Sequence, residues 1–162
     1  MKYQSNGSID QYKARLLAQG FTQTQGLDYE ETFDLVSKLN SIRILLSLAV
    51  NLDRRLHQLD IKNVFLNGEL EEEIYMRIPP GFEIESTRGK VWKLKKSLYG
   101  LKQSPRVWFK RFSDTIIQLE YKQGLSDHTL FTKVEVDGRK TILIVYVDDI
   151  IIIGIMFRKL RS

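Results

Sequence analysis

Ile142-Leu143-Ile144-Val145-Tyr146-Val147-Asp148-Asp149-Ile150-Ile151-Ile152-Ile153-Gly154 is the stretch on which the fold turns. Two apolar runs rich in β-branched residues flank a pair of acids, and a glycine closes the second run. Such runs read as buried strands, and the acids between them as the tip of a hairpin. Two carboxylates about 4 Å apart repel by ~4 kcal/mol at an effective dielectric of ~20. A divalent cation that takes hard oxygen ligands, such as Mg²⁺, turns that repulsion into attraction. A tight turn accounts for the acids equally well, because Asp tolerates positive φ, although Asn-Gly or Asp-Gly is the commoner choice. On these residues alone both accounts stand.

The chain has 162 residues, of which 43% are apolar. That is one domain's worth of sequence, with enough apolar surface for a real core. It has no cysteine, which excludes disulfides, thiolate zinc sites and a cysteine nucleophile. The polar N-terminus has no signal-peptide pattern. The apolar stretch 142–153 is too short to span a bilayer and carries two acids, so no membrane partner is expected. Net charge is +5 and the pI is about 9.4, a balance that favours an acidic partner such as nucleic acid. Arg88, Lys90, Lys93, Lys95, Lys96, Lys102, Arg106, Lys110 and Arg111 follow one another with no acid between them, and Trp92, Tyr99, Trp108 and Phe109 are interleaved. A solvated basic face is the plain explanation; basic residues with aromatics also suit a phosphate backbone. The acids cluster elsewhere, at 28–34 and 69–73.

The remaining elements give a mixed order of strands and helices. Asn6-Gly7-Ser8 marks a hairpin tip. Residues 12–18 read as a strand with Lys13 and Arg15 on one face. A helix is expected from Ser41 as N-cap, apolar almost all round and therefore buried on most sides. Residues 56–61 read as a strand with Asp60 opposite in direction to Leu59 and Ile61. Glu69, Glu71, Glu72 and Glu73 suggest a solvated helical turn. Residues 74–78 and 91–94 read as short strands. Ser104 as N-cap and Pro105 at N1 start a second helix, with Trp108, Phe112, Ile116 and Leu119 on its core face. Residues 131–136 and 140–147 form strands joined by Asp137-Gly138, a hairpin signal. The class is α+β, with antiparallel hairpins rather than a doubly wound parallel sheet.

Several of these stretches together resemble one family, the reverse transcriptases of copia-type LTR retrotransposons. They are Tyr12-Lys13-Ala14-Arg15-Leu16 with Ala18-Gln19-Gly20-Phe21, Gly26-Leu27-Asp28-Tyr29-Glu30-Glu31-Thr32-Phe33, Ser41-Ile42-Arg43, and Gln58-Leu59-Asp60-Ile61-Lys62-Asn63-Val64-Phe65-Leu66-Asn67-Gly68. Ile74-Tyr75-Met76, Leu98-Tyr99-Gly100-Leu101-Lys102-Gln103-Ser104-Pro105-Arg106 with Trp108, and Tyr146-Val147-Asp148-Asp149 complete the set. A lone YVDD is weak; the ordered set, over about residues 2–154, is specific.

The resemblance implies an RNA-directed DNA polymerase of fingers-and-palm type, with an antiparallel palm sheet backed by helices. Residues 1–154 would be the partial domain, and 155–162 a tail unlike the family's continuation, without thumb or RNase H. Asp60, Asp148 and Asp149 would be the catalytic carboxylates and the ligands of two Mg²⁺ ions, with Mn²⁺ as substitute. One ion would acidify the primer 3′-hydroxyl and the other would hold the triphosphate. The resemblance further implies that Phe65 lies under the incoming sugar, that Gln103 touches the deoxynucleoside triphosphate, and that Lys13 or Arg15 grips its phosphates. Tyr146 and Val147 would lie under the primer end. Lys93, Lys95, Lys96, Lys102 and Arg106 would follow an RNA or DNA template with its primer. A cytoplasmic virus-like particle or the nucleus would be the setting. Val64 and Leu35 depart from the family's usual Ala and Pro. The alternative is a catalytically inactive transposon remnant that binds nucleic acid through 88–111. A two-metal nuclease would use three carboxylates too, but not this ordered set.

Overall fold

The computed structural model describes residues 2–12, 16–30, 32 and 37–156. Its centre is a five-stranded antiparallel sheet built from β3 (Leu56–Asp60), β6 (Lys122–Gln123), β7 (Leu130–Val134), β8 (Arg139–Tyr146) and β9 (Asp149–Met156), in the spatial order β3-β9-β8-β7-β6. The apolar stretch 142–153 supplies most of two adjacent strands, β8 and β9. Every residue of β8 pairs with β9, from Arg139 opposite Met156 to Tyr146 opposite Asp149.

The alternation of a strand then sorts the side chains onto two faces. Leu143, Val145 and Ile150 join Phe131, Val64, Trp108 and Phe109 in one cluster, and Ile142, Ile144 and Ile153 join Leu45 and Ala49 in another. Trp108 and Phe109 belong to α2 (Ser104–Gln118) and Leu45 and Ala49 to α1 (Leu39–Asn51). One helix therefore covers each face. Phe131, Ile144, Val145 and Ile153 have no exposed surface. Fully burying side chains of this size contributes ~1.5–3 kcal/mol each, so the hairpin is the anchor of the fold.

Two small antiparallel sheets flank this centre. β1 (Lys2–Tyr3) pairs with β2 (Ile9–Gln11) around Gly7, and β4 (Tyr75–Arg77) pairs with β5 (Val91–Lys93). The segment near residue 18 is tied to the segment near residue 100. The Ala18 N–H donates to the Tyr99 carbonyl at 2.7 Å. A Cβ on Gly20 would lie 1.8 Å from the Gly100 oxygen, so glycine is the one residue that permits the crossing.

The α+β class, the hairpins at Gly7 and Gly138 and the strands at β3, β4, β5, β7 and β8 match the sequence. Several details do not. The first helix starts at Leu39, not after Ser41. Its N-terminal groups are satisfied from across the chain: Asp127 accepts hydrogen bonds from the Lys38 N–H (3.1 Å) and from the Ser41 hydroxyl. α1 is buried along one stripe, not on most sides; Leu39, Ile44, Leu46 and Val50 are exposed. Ser104 is the first helical residue of α2, after Gln103, and its hydroxyl donates to the Leu98 carbonyl at 2.6 Å. Leu119, beyond the last turn of α2, is exposed rather than core. Of the strand expected over 12–18, the described residues contribute only a single bridge, Leu17 to Tyr99; Lys13, Arg15 and Leu35 lie outside the described residues. No helical turn forms at 69–73. Among the described residues no helix is long and apolar enough to cross a membrane.

Candidate active site

The tip of the central hairpin is Val147-Asp148, with Asp149 as the first residue of β9. Val147 has φ 55°. A β-branched side chain pays steric strain there, where glycine would not, so the backbone at this tip is held by its neighbours. Asp60 ends β3 directly opposite Asp149. The Ile61 N–H donates to the Asp148 carbonyl at 2.9 Å, which makes Asp60 and Asp149 a non-hydrogen-bonded pair, with Cα atoms about 4.5 Å apart and side chains on one face. Asp60 and Asp149 thus stand opposite each other at one end of the sheet, with Asp148 beside them in the turn.

The acids are less enclosed than two flanking apolar strands suggest: Asp148 and Asp149 are half-buried, and Asp60, on the edge strand, is exposed. Asp149 accepts a hydrogen bond from the Gln58 amide at 3.1 Å. Among the described residues, none of the three carboxylates makes an ion pair. Nor do three acid or histidine side chains yet converge as a metal cage. Carboxylates with no cation between them repel. The donor set of hard oxygens on adjacent backbone positions nevertheless fits Mg²⁺ or Mn²⁺.

The family model described as reverse transcriptase (RNA-dependent DNA polymerase) matches residues 2–161. The chain belongs to the copia-type reverse transcriptase family. It is 45% identical over 154 residues to the Retrovirus-related Pol polyprotein from transposon TNT 1-94 of Nicotiana tabacum, covering 95% of this chain and 12% of the relative. Identity to the corresponding polyprotein from transposon RE1 of Arabidopsis thaliana is 46% over 154 residues, with coverage of 94% and 10%. The Transposon Ty1-BL Gag-Pol polyprotein of Saccharomyces cerevisiae is 32% identical over 146 residues, with coverage of 87% and 8%. This reverse-transcriptase chain therefore spans about a tenth of the length of the plant relatives. No solved structure matches it.

The other residues singled out from the sequence stand in two groups. Tyr146 is exposed beside Asp149, on the same face as Asp60. Phe65 lies in the 3₁₀ turn Val64–Asn67, packs against the α2-side core, and meets Tyr99 edge-on with centroids 4.9 Å apart. Gln103 has no exposed surface. Its oxygen accepts from the Gln23 amide at 3.1 Å, and its own amide donates to the Asp28 carbonyl at 3.2 Å. Gln23 also accepts the Lys102 N–H at 2.9 Å. Among the described residues no hydrogen bond, ion pair or ring contact links Phe65 or Gln103 to the three carboxylates.

The basic stretch is divided in a way the sequence did not disclose. Glu69 pairs with Arg111 at 3.1 Å, Glu71 with Lys110 at 2.7 Å, Glu72 with Arg106 at 2.8 Å, and Glu73 with Lys93. The acids that seemed to cluster elsewhere lie on top of the bases, and the pairing keeps 69–73 laid along α2 instead of coiled into a helical turn. Glu71 and Glu73 are held below the usual carboxylate range by hydrogen bonds from Lys110 and Lys93. Lys110 and Lys93 are raised by the same bonds, which they donate to Glu71 and Glu73. Lys93 and Arg106 are thus occupied, whereas Lys95, Lys96 and Lys102 are exposed and make no ion pair among the described residues.

Asp127 is the acid that sequence reasoning missed. Burial pushes its carboxyl up, but hydrogen bonds from the Ser41 hydroxyl, the Thr129 hydroxyl and N–H, and the Lys38 N–H outweigh that and hold it below the usual range. It joins the start of α1, where backbone N–H groups lack helical partners, to the turn before β7. The Ser126-Asp127 pair with Thr129 two residues on was a turn signal; its long-range partner left none.

Proposed function

We propose that this chain is the fingers-and-palm part of the RNA-directed DNA polymerase of a retrotransposon polyprotein, transferring a deoxynucleotide to a primer 3′-hydroxyl. Residues 1–154 form that partial domain. The observation that carries it is the ladder pairing of Asp60 with Asp149, with Asp148 adjoining and no ion pair to any of the three among the described residues, in a chain of this family. Asp60, Asp148 and Asp149 would hold two Mg²⁺ ions. Bound there, the ions neutralise the triphosphate and acidify the primer hydroxyl.

The chain's own residues then have separable tasks. Gln58 orients Asp149 through its amide. Tyr146 and Val147 support the primer end from the hairpin face. Phe65, edge-on to Tyr99, presents a fixed ring to the sugar. Gln103 reaches a nucleotide only once the 23–28 segment releases its amide. Lys13 and Arg15 contribute charge to the triphosphate. Lys95, Lys96 and Lys102 carry the phosphate backbone of template and primer, as exposed cations do.

Extension of a DNA primer on an RNA template, with Mg²⁺ and deoxynucleoside triphosphates, is the test. Extension that Asp148→Asn abolishes supports the proposal, and no extension by the parent chain at high concentration refutes it. One observation favours a second function, nucleic-acid binding without catalysis: the three carboxylates do not converge as a metal cage among the described residues. Binding without extension in the same assay would select it.

A further inference from the structure

The acids at 69–73 lie along the basic flank of α2 in reverse order: Glu69 on Arg111, Glu71 on Lys110, Glu72 on Arg106. Glu73 continues the row onto Lys93 of β5. The row is fixed at one end by the Arg111 guanidinium, which also donates to the Asn67 carbonyl at 3.0 Å, and by the Ser97 N–H, which donates to the Gly68 carbonyl at 2.9 Å. A non-helical peptide with carboxylates at four of five positions presents a line of anions to a line of cations. A nucleic-acid strand presents its phosphates in the same manner. Most of these pairs are open to water, with Glu69, Glu71 and Glu73 each more than two-thirds exposed. Exposed ion pairs are weak and screened by salt, so a competing polyanion can replace the carboxylates.

We infer that residues 69–73 are an internal phosphate mimic, and that Lys93, Lys110 and Arg111 form a second backbone track for nucleic acid that these acids cover. The inference rests on the proposed function and deepens it. The uncovered lysines 95, 96 and 102 make the first contact; the covered track is engaged by exchange of carboxylate for phosphate. Glu72 and Arg106, the most enclosed pair, hold the segment in place while its neighbours exchange.

The test is binding of a single-stranded oligonucleotide across a salt series. Three chains are compared: the parent, a triple variant Glu69→Gln, Glu71→Gln, Glu73→Gln, and a control Glu30→Gln, Asp53→Asn, Glu83→Gln that adds the same charge at exposed acids with no ion pair among the described residues. The covered-track triple is expected to bind about tenfold tighter at low salt, with log K against log salt steeper by about 2, given ~0.7 per single-strand phosphate. Adding Lys110→Ala and Arg111→Ala to the triple should abolish that gain. Equal gains in the triple and the control overturn the inference, as does an unchanged slope. If the parent binds and the triple matches it, the mimic fails and the nucleic-acid function stands. If neither chain binds, both fail.

Discussion

At the tip of the central sheet Asp60, Asp148 and Asp149 make no ion pair among the described residues, whereas Glu69, Glu71, Glu72 and Glu73 are each paired with a lysine or arginine. Both groups gather several carboxylates in a short reach, and both must offset mutual repulsion. The second group does so with the protein's own cations. The first has no such partner among the described residues, at the end of a hairpin whose Ile144, Val145 and Ile153 have no exposed surface. Local charge density alone therefore does not tell the two groups apart; backbone register and the partners that distant segments bring do. The chain encodes that difference through distant partners, since α2 brings the bases to 69–73 and β9 brings Asp149 to Asp60.

The largest effect should come from the uncompensated group. Asp60→Asn or Asp148→Asn is expected to lower Mg²⁺-dependent primer extension by about 10³-fold or more, equivalent to ~4 kcal/mol of transition-state stabilisation. Thermal unfolding of the same variants should be unchanged or slightly improved, because a repulsion is removed. A matching loss of stability would assign these acids to structure instead.

Next comes Asp127, whose charge is compensated by hydrogen bonds rather than cations. Asp127→Ala should destabilise the chain by about 2 kcal/mol, read in a urea titration, through loss of charge-assisted bonds and of the α1 cap. Its folded pKa is depressed, so its contribution is present above the unfolded value of about 3.9 and lost as pH falls through the lower folded value. Acid titration of the parent should show that loss, and Asp127→Asn should flatten it.

The smallest effect should come from the paired group. Glu71→Gln should shift the melting midpoint less than Asp127→Ala, and the shift should vanish near 1 M salt, where the Debye length is about 3 Å. Glu71 is lowered and Lys110 raised. The pair's contribution is present between the two unfolded pKa values, lost at low pH as Glu71 protonates and at high pH as Lys110 deprotonates. A salt-independent shift as large as that of Asp127→Ala would erase the contrast between the acid groups.

Local signals explain what could be read beforehand. The β-branched runs of β8 and β9, the Asp137-Gly138 turn and the Pro105 helix start each depend on neighbours in sequence, and each is present. The three carboxylates could be named because their motifs are local, although their meeting is not. Long-range partners were invisible. Asp127 completes α1 from the far side of the chain, so Ser41 took the role of cap in the sequence. The acids at 69–73 suggested a helix because nothing nearby announced four bases on α2 and β5. Gln103 suggested an available amide, but the Gln23 and Asp28 contacts that bury it come from about eighty residues earlier. α1 seemed apolar all round because composition does not say which stripe the sheet covers.

The most direct measurement is Mn²⁺ titration of the ¹⁵N-labelled chain, followed by paramagnetic broadening of backbone amides. Acids without internal cations should take the ion: broadening is predicted at residues 59–61 and 146–150, spares 69–73, and disappears in Asp60→Asn with Asp148→Asn. Broadening centred on 69–73, or none at the hairpin tip, would contradict the account.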